Sequence, residues 1–455
     1  MMGKYNLDSE IVREQGDVNT TSKKKSFVDS TLNASTKDWF EKDKQFFLHQ
    51  NLSTPVLNVL KEVDGAVIED LAGRKYIDMH GNGVHNVGFH NPQVIAAVKK
   101  KLDSKLAFCP RRYTNLPIIE LAQKLTTLTP KHLNKVLFCP GGSEAIEMAL
   151  MLAKQVTKRF KTISFRGSYH GTTMGAASVS GEELFSGGLG PMVPGAFHVD
   201  YPNYYRNPWG FETPEAVDRE CLRQMEDLFK HHKDIACVIG EPISATPVVP
   251  SKSYWQSVKA LCEQYGALLI FDEVITGLGR SGKMFAAEHF VDPDIMVLGK
   301  SLGGGVVPFA GIAAHERFDI LQHRSIGHYT HEKNPLCAAA ANAVLDYLVE
   351  HNICRRVQEL GAYFFENLHA LKKRYALIGH VSHCGLHLGL DLVLDQDKKT
   401  KAIEQAEEVM LFCYEKGLAF KVIEGSVLTF RPALTITKEQ IDHSLSILED
   451  SLQSL

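Results

Sequence analysis

The chain lacks any run of the roughly eighteen apolar residues that a membrane helix needs, and its opening MMGKYNLDSE has none of the apolar stretch of a signal peptide. A cytoplasmic protein is expected. It also lacks an excess of one charge: 50 basic against 53 acidic side chains leave a formal net charge of -3. No overall field therefore draws in nucleic acid or an anionic membrane, and any anionic ligand must be held by a local site. The nine cysteines include no C-x-x-C pair, which argues against a disulfide framework or a thiolate zinc site and for reduced thiols. The one crowding of metal-ligating types is His380, His383, Cys384 and His387 in LIGHVSHCGLHLGLDL. Alternation there sets Val381, His383, Gly385 and His387 on one face and Leu386, Leu388 and Leu390 on the other, so a strand is expected and no metal. Disorder is excluded as well: 455 residues, 44% hydrophobic and 23% charged, match an ordinary globular enzyme long enough for two or three domains.

The organisation along the chain follows from what is present. Roughly the first fifty residues are polar, with a run Lys23 to Lys25, and read as a solvated mobile arm or a segment that wraps a neighbour. VIEDL and KYIDM around a Gly-containing turn predict a hairpin, followed by the Gly/Asn-rich stretch HGNGVHNVG. Short apolar runs then alternate with helical stretches: KVLF, TISF, IACVIG, ALLIF and DIMVLG, separated by segments such as SEAIEMALMLAKQV and SYWQSVKALCEQYG. This is the pattern of an α/β domain with a mostly parallel sheet and crossover helices. The character changes beyond Pro335, where a long Ala-rich helix opens a stretch of mixed helices and short strands. The expected division is an N-terminal arm and segment (1–70), a large domain (71–335) and a smaller α+β C-terminal domain (336–455).

In open α/β sheets ligands bind beyond the carboxyl ends of the strands. After KVLF comes CPGGSEAIEMAL, where Gly141, Gly142 and Ser143 lead into a helix. Such a turn offers backbone N–H groups, a hydroxyl and the positive dipole end as a phosphate cradle, though a helix N-cap explains the same residues. After TISF a Gly-flanked loop carries Tyr169 and His170; the tyrosine suits stacking on a flat cofactor or packing over the loop equally well. Glu241 follows IACVIG, and Asp272, Glu273 and Val274 follow ALLIF. Buried carboxylates need cations or donors, because desolvation costs several kcal/mol. Lys300 follows DIMVLG, and a lysine ending a buried strand is costly as an ammonium unless it becomes neutral or an imine. Cradle, aromatic, carboxylate and lysine in that chain order are what pyridoxal 5'-phosphate requires.

The motifs PGGSEA, SYHG, GEP, FDEV, LGK and YTHEKNP together resemble the class III aminotransferase family, over a stretch from about Asp70 to the end. The resemblance implies fold type I and pyridoxal 5'-phosphate as cofactor. It places Gly142 and Ser143 on the cofactor phosphate, Tyr169 and Val274 on the two ring faces, Asp272 at the ring nitrogen, and Lys300 as the Schiff-base lysine that moves protons. It implies that Thr330, ahead of Asn334 and Pro335, reaches the phosphate of a neighbouring subunit, and hence a homodimer with shared sites.

Three departures from the family pattern stand out. The arginine that grips the α-carboxylate of dicarboxylic substrates falls at Thr429 in LTFRPAL, and the glutamate that gates it falls at Thr246 in EPISATPV. The glutamine of FDEVQTG, which bonds the ring's phenolic oxygen, is Ile275, and a hydrocarbon cannot replace that bond. Losing clamp and gate together argues against a dicarboxylic keto acid as second substrate. REQGDVN, HGNGVHNVGFHNP, PRRYTN and SGGLGPMVPG further resemble the subgroup that degrades (R)-1-hydroxy-2-aminoethylphosphonate as ammonia-lyases. That implies elimination of water and release of ammonia and phosphonoacetaldehyde, catalysed by Lys300 and Asp272. Arg111, Arg112 and Arg431 are the arginines expected near the phosphonate, with Asn82 and His85 as polar helpers, although each arginine reads equally as a surface ion pair. The alternatives are an ω-aminotransferase for a small primary amine and a non-catalytic effector-binding protein of this fold; retention of Lys300 and Asp272 speaks against the second.

Overall fold

The computed structural model describes residues 21–48 and 57–455; REQGDVN and the rest of the first twenty residues lie outside the described residues. Two compact units are present, one made of the chain up to Gly81 with Glu359–Leu455, the other of Asn82–Gln358. In the first, Ser22–Thr31 and Ala34–Phe46 are helices capped by the side chains of Thr21 and Asn33. The lysine run, expected to be solvated, is docked: Lys23 lies 2.8 and 2.7 Å from Glu404 and Glu408, and Lys24 is buried. The expected hairpin forms as β2 (Val67–Asp70) and β3 (Lys75–Asp78), extended antiparallel by β1 (Leu60–Asp64).

The second unit is built on a seven-stranded sheet. In chain order its strands are β4 (Lys135–Cys139), β5 (Lys161–Phe165), β6 (Ala196–Val199), β7 (Ile235–Gly240), β8 (Leu268–Asp272), β9 (Ile295–Leu298) and β10 (Ala310–Ala314), arranged β4-β10-β9-β8-β7-β5-β6. Strands β6, β5, β7, β8 and β9 run parallel, while β10 is antiparallel to both β9 and β4. Every residue of β7, β8 and β9 is buried, which is why these segments read as unbroken apolar runs. Helix Gly142–Thr157 crosses the sheet from β4 to β7, and helix Lys252–Tyr265 packs on β8 through Trp255, whose ring meets Phe165 and Phe271 edge-on. The Ala-rich helix, Pro335–Glu350, packs on helices Pro92–Asp103 and Leu116–Leu128 of this same unit.

The remainder of the first unit holds β11 (Ile378–Cys384), β12 (His387–Asp395), the short β13 (Thr400–Lys401) and β14 (Leu418–Ala419), then β15 (Lys421–Ile423) and β16 (Val427–Phe430). The order β11-β12-β16-β15 is antiparallel, with β13 beside β12 and β14 parallel to β3. The histidine-rich stretch, expected as one strand, is two: Gly385 at φ +59° turns the chain so that Cys384 pairs with His387. Only glycine takes that conformation cheaply, and it interrupts the alternation. All nine cysteines are free thiols. Among the described residues no helix is long and apolar enough to cross a membrane, and no three metal-ligating side chains gather.

Candidate active site

Parallel strands end on one edge of the sheet, so the residues after β5, β7, β8 and β9 converge there. The helix after β4 starts at Gly142, its capping position is Gly141, and no side chain caps it. Ser143 is therefore in the first turn and is not the N-cap; its Oγ accepts the Thr172 N–H at 3.2 Å instead. The N–H groups of this turn point out of the helix end without intrahelical acceptors, a site for an anion. Gly171, at φ +124°, approaches so closely that a Cβ there would stand 2.8 Å from the Ser143 Cβ.

Asp272 closes β8 and is 5% exposed. Its Oδ2 lies 2.8 Å from His170 Nδ1, and its Oδ1 accepts the Val274 N–H at 3.0 Å. The loop carrying Tyr169 and His170 is pinned by the His170 N–H, which donates to Ser180 Oγ at 2.9 Å. Tyr169 is half-buried against Phe185, and burial raises its phenol's pKa. Lys300 takes a left-handed backbone, φ +45°, directly after β9 and Gly299, and Gly83 lies beside its methylenes. A β-carbon on Gly83 would sit 3.4 Å from Lys300 Cδ.

Six of the residues expected at the cofactor, Gly142, Ser143, Tyr169, Asp272, Val274 and Lys300, line one cavity of about 170 Å³. Ile146, His170, Gly171, Glu241 and Ile275 complete its wall. Of these, His170 and Glu241 were visible in sequence only as polar residues at strand ends; the signal for His170 is that Asp272 needs a partner. Burial pushes the Glu241 carboxyl up to about 7. The set fits pyridoxal 5'-phosphate on chemistry: an uncapped helix start for a dianion, a braced carboxylate for a ring nitrogen, a lysine for an aldehyde, and a tyrosine and a valine for ring faces.

The remaining expected residues do not line the cavity. Thr330 is exposed in the turn before Asn334, which caps the Ala-rich helix. Arg111 is half-buried and Arg112 exposed in one turn; Asn82 is exposed at φ +49°, and His85 is buried and stacked on Phe89. Arg431 belongs to the other unit, where it is buried after β16. Thr429, in the position of the clamp, is also buried there and spends its hydroxyl on the Lys421 carbonyl at 2.9 Å. Thr246, in the position of the gate, pairs its hydroxyl with that of Ser244 at 3.0 Å.

Comparison with known proteins places this geometry. A family model described as aminotransferase class-III matches residues 49–452. The (R)-1-hydroxy-2-aminoethylphosphonate ammonia-lyase of Vibrio splendidus is 37% identical, over 97% of this chain and 95% of that protein. A leucine/methionine racemase of Thermococcus litoralis is 35% identical, over 87% and 90%. Among solved structures, a PLP-bound amine transaminase from an uncultivated Pseudomonas species superposes with a TM-score of 0.83 at 30% identity, covering 90% of this chain and 98% of that one.

Proposed function

The chain belongs to the class-III aminotransferase family, with fold type I and pyridoxal 5'-phosphate as cofactor, and on that premise we propose that it is an ammonia-lyase acting on a small hydroxylated aminoalkylphosphonate. The substrate in this reading is (R)-1-hydroxy-2-aminoethylphosphonate and the products are phosphonoacetaldehyde and ammonia. The observation that carries it is the 37% identity to such a lyase over 97% of the chain. The absence of an arginine at Thr429 and of a glutamate at Thr246 supports it, because no keto acid has to be held.

When bound, the cofactor supplies an electron sink for the carbon next to the substrate nitrogen. The protein's part is positioning and proton transfer. Ser143 and the first-turn N–H groups would hold the phosphate, with Tyr169 and Val274 as the residues for the ring faces. Asp272, braced by His170 and the Val274 N–H, holds the proton on the ring nitrogen. Lys300 Nζ is the base that would take the proton from the carbon beside nitrogen. The hydroxyl on the adjacent carbon then departs as water, and a water molecule returns in the hydrolysis that frees ammonia, so the net change is substrate to aldehyde plus ammonia. Arg111, Arg112 and Arg431 are the proposed donors to the phosphonate, with Asn82 and His85. Thr330 is proposed to serve the site of a second copy in a homodimer.

The test is ammonia release with no keto acid present. A lyase releases ammonia in step with aldehyde over many turnovers. An aminotransferase given the same amine stops after one turnover and restarts when pyruvate is added, which would overturn elimination while leaving cofactor and fold in place.

A further inference from the structure

In the parallel pair β7–β8, Gly240 lies opposite Phe271. The next residues, Glu241 and Asp272, therefore leave the sheet side by side, and both line the cofactor cavity with Lys300. Both are buried, at 4% and 5% exposure. Two carboxylates at one buried site do not both ionise cheaply, and the one with weaker support takes the proton. Support is unequal here. Asp272 has His170 at 2.8 Å and the Val274 N–H at 3.0 Å. Glu241 has a backbone N–H, that of Tyr169, and the Tyr201 hydroxyl beside it is spent on the Glu241 backbone carbonyl at 2.8 Å. The titratable groups facing Glu241 are His170, Asp272, Lys300 and Tyr201.

We propose that Glu241 is a positioning residue held as the neutral acid beside Asp272, so that the cofactor ring meets one negative charge and not two. Its ionisation then sets the alkaline limit of the ring environment. Burial is the largest cause and the charge of Asp272 adds to it, while His170 and Lys300 oppose, which leaves the Glu241 carboxyl at about 7. Once Glu241 ionises, a second negative charge favours positive charge on neighbouring nitrogen atoms, and the visible absorbance of the bound cofactor shifts. This inference rests on the cofactor alone and is the same for elimination or amino transfer.

The experiment is a pH titration of the visible absorbance of the cofactor-loaded protein, with bound cofactor quantified in parallel. In the parent a transition is expected above the ordinary carboxylate range, the direction that burial sets. Glu241→Gln, which copies the neutral acid, is expected to keep the cofactor and lose that transition. A transition unchanged in Glu241→Gln overturns the proposal. Asp272→Asn removes the like charge and is expected to move the transition down by about one unit. That arm decides the matter if the Gln variant does not fold: a transition that stays or moves up in Asp272→Asn overturns the assignment. Ammonia release is not read in either arm, so the outcome is independent of the reaction type.

Discussion

Gly171 shows how much of the cradle rests on single atoms. At φ +124°, and with a Cβ that would stand 2.8 Å from the Ser143 Cβ, it has no room for a side chain and a backbone that L residues avoid. Gly171→Ala must therefore strain the loop, displace Ser143 from the helix start, or both. We expect cofactor affinity to fall by at least about tenfold, ~1.4 kcal/mol, with the fold kept; fluorescence titration of the apo-protein and circular dichroism check it. Unchanged affinity would detach Ser143 from the phosphate. The sequence left Ser143 open between cap and cradle because both readings use the same three residues; the start of the helix one residue earlier decides against the cap. His170 was legible as a residue but not as a partner, since its carboxylate lies 102 positions away. Arg111 and Arg112, with Asn82 as a polar helper, stand outside the cofactor cavity wall, so their proposed role toward the phosphonate rests on residue type and resemblance.

At the scale of elements, the apolar runs IACVIG, ALLIF and DIMVLG became β7, β8 and β9 because strands covered on both faces need no alternation, while KVLF and TISF became β4 and β5. The direction of β10 was not legible: strand sense depends on the connection and leaves no mark in composition. The helices Ser22–Thr31 and Ala34–Phe46 were missed for another reason. Their low apolar content reads as solvated, and the first is tied through Lys23 to Glu404 and Glu408, more than 350 residues away in the chain, where local patterning carries no signal. Gly240, the last residue of β7, gives the element-scale prediction. A Cβ there would lie 2.6 Å from Phe165 Cε2 and 2.8 Å from Trp255 Cη2, two buried rings that cannot both yield. Gly240→Ala is expected to cost about 1–3 kcal/mol by overpacking. Urea denaturation measures it, and an unchanged midpoint would mean that the sheet and helix Lys252–Tyr265 separate more easily than their packing indicates.

At the scale of the whole molecule, composition suggested a division at Pro335, whereas contacts keep the Ala-rich helix with helices Pro92–Asp103 and Leu116–Leu128 and divide the chain after Gln358. A change in residue usage marks where a new kind of element begins, not which partner it packs on. The proposed assembly is a question of the same scale. Thr330 is exposed and absent from the cavity of its own chain, which fits the proposed role toward the phosphate of another copy. Chains carrying Thr330→Ala and chains carrying Lys300→Ala separate the possibilities, the first expected to be impaired at least about tenfold and the second inactive. In a mixed dimer with shared sites, one site bears both lesions and the other bears neither. Equal mixing with free exchange then restores about one quarter of the parent's sites. If each chain completes its own site, every site in the mixed dimer still carries one lesion and activity stays at the contribution of the Thr330 variant. Subunit exchange confirmed by mass, with no rise above that contribution, would overturn the shared site and leave Lys300, Asp272 and the helix start in a cofactor site complete within one chain.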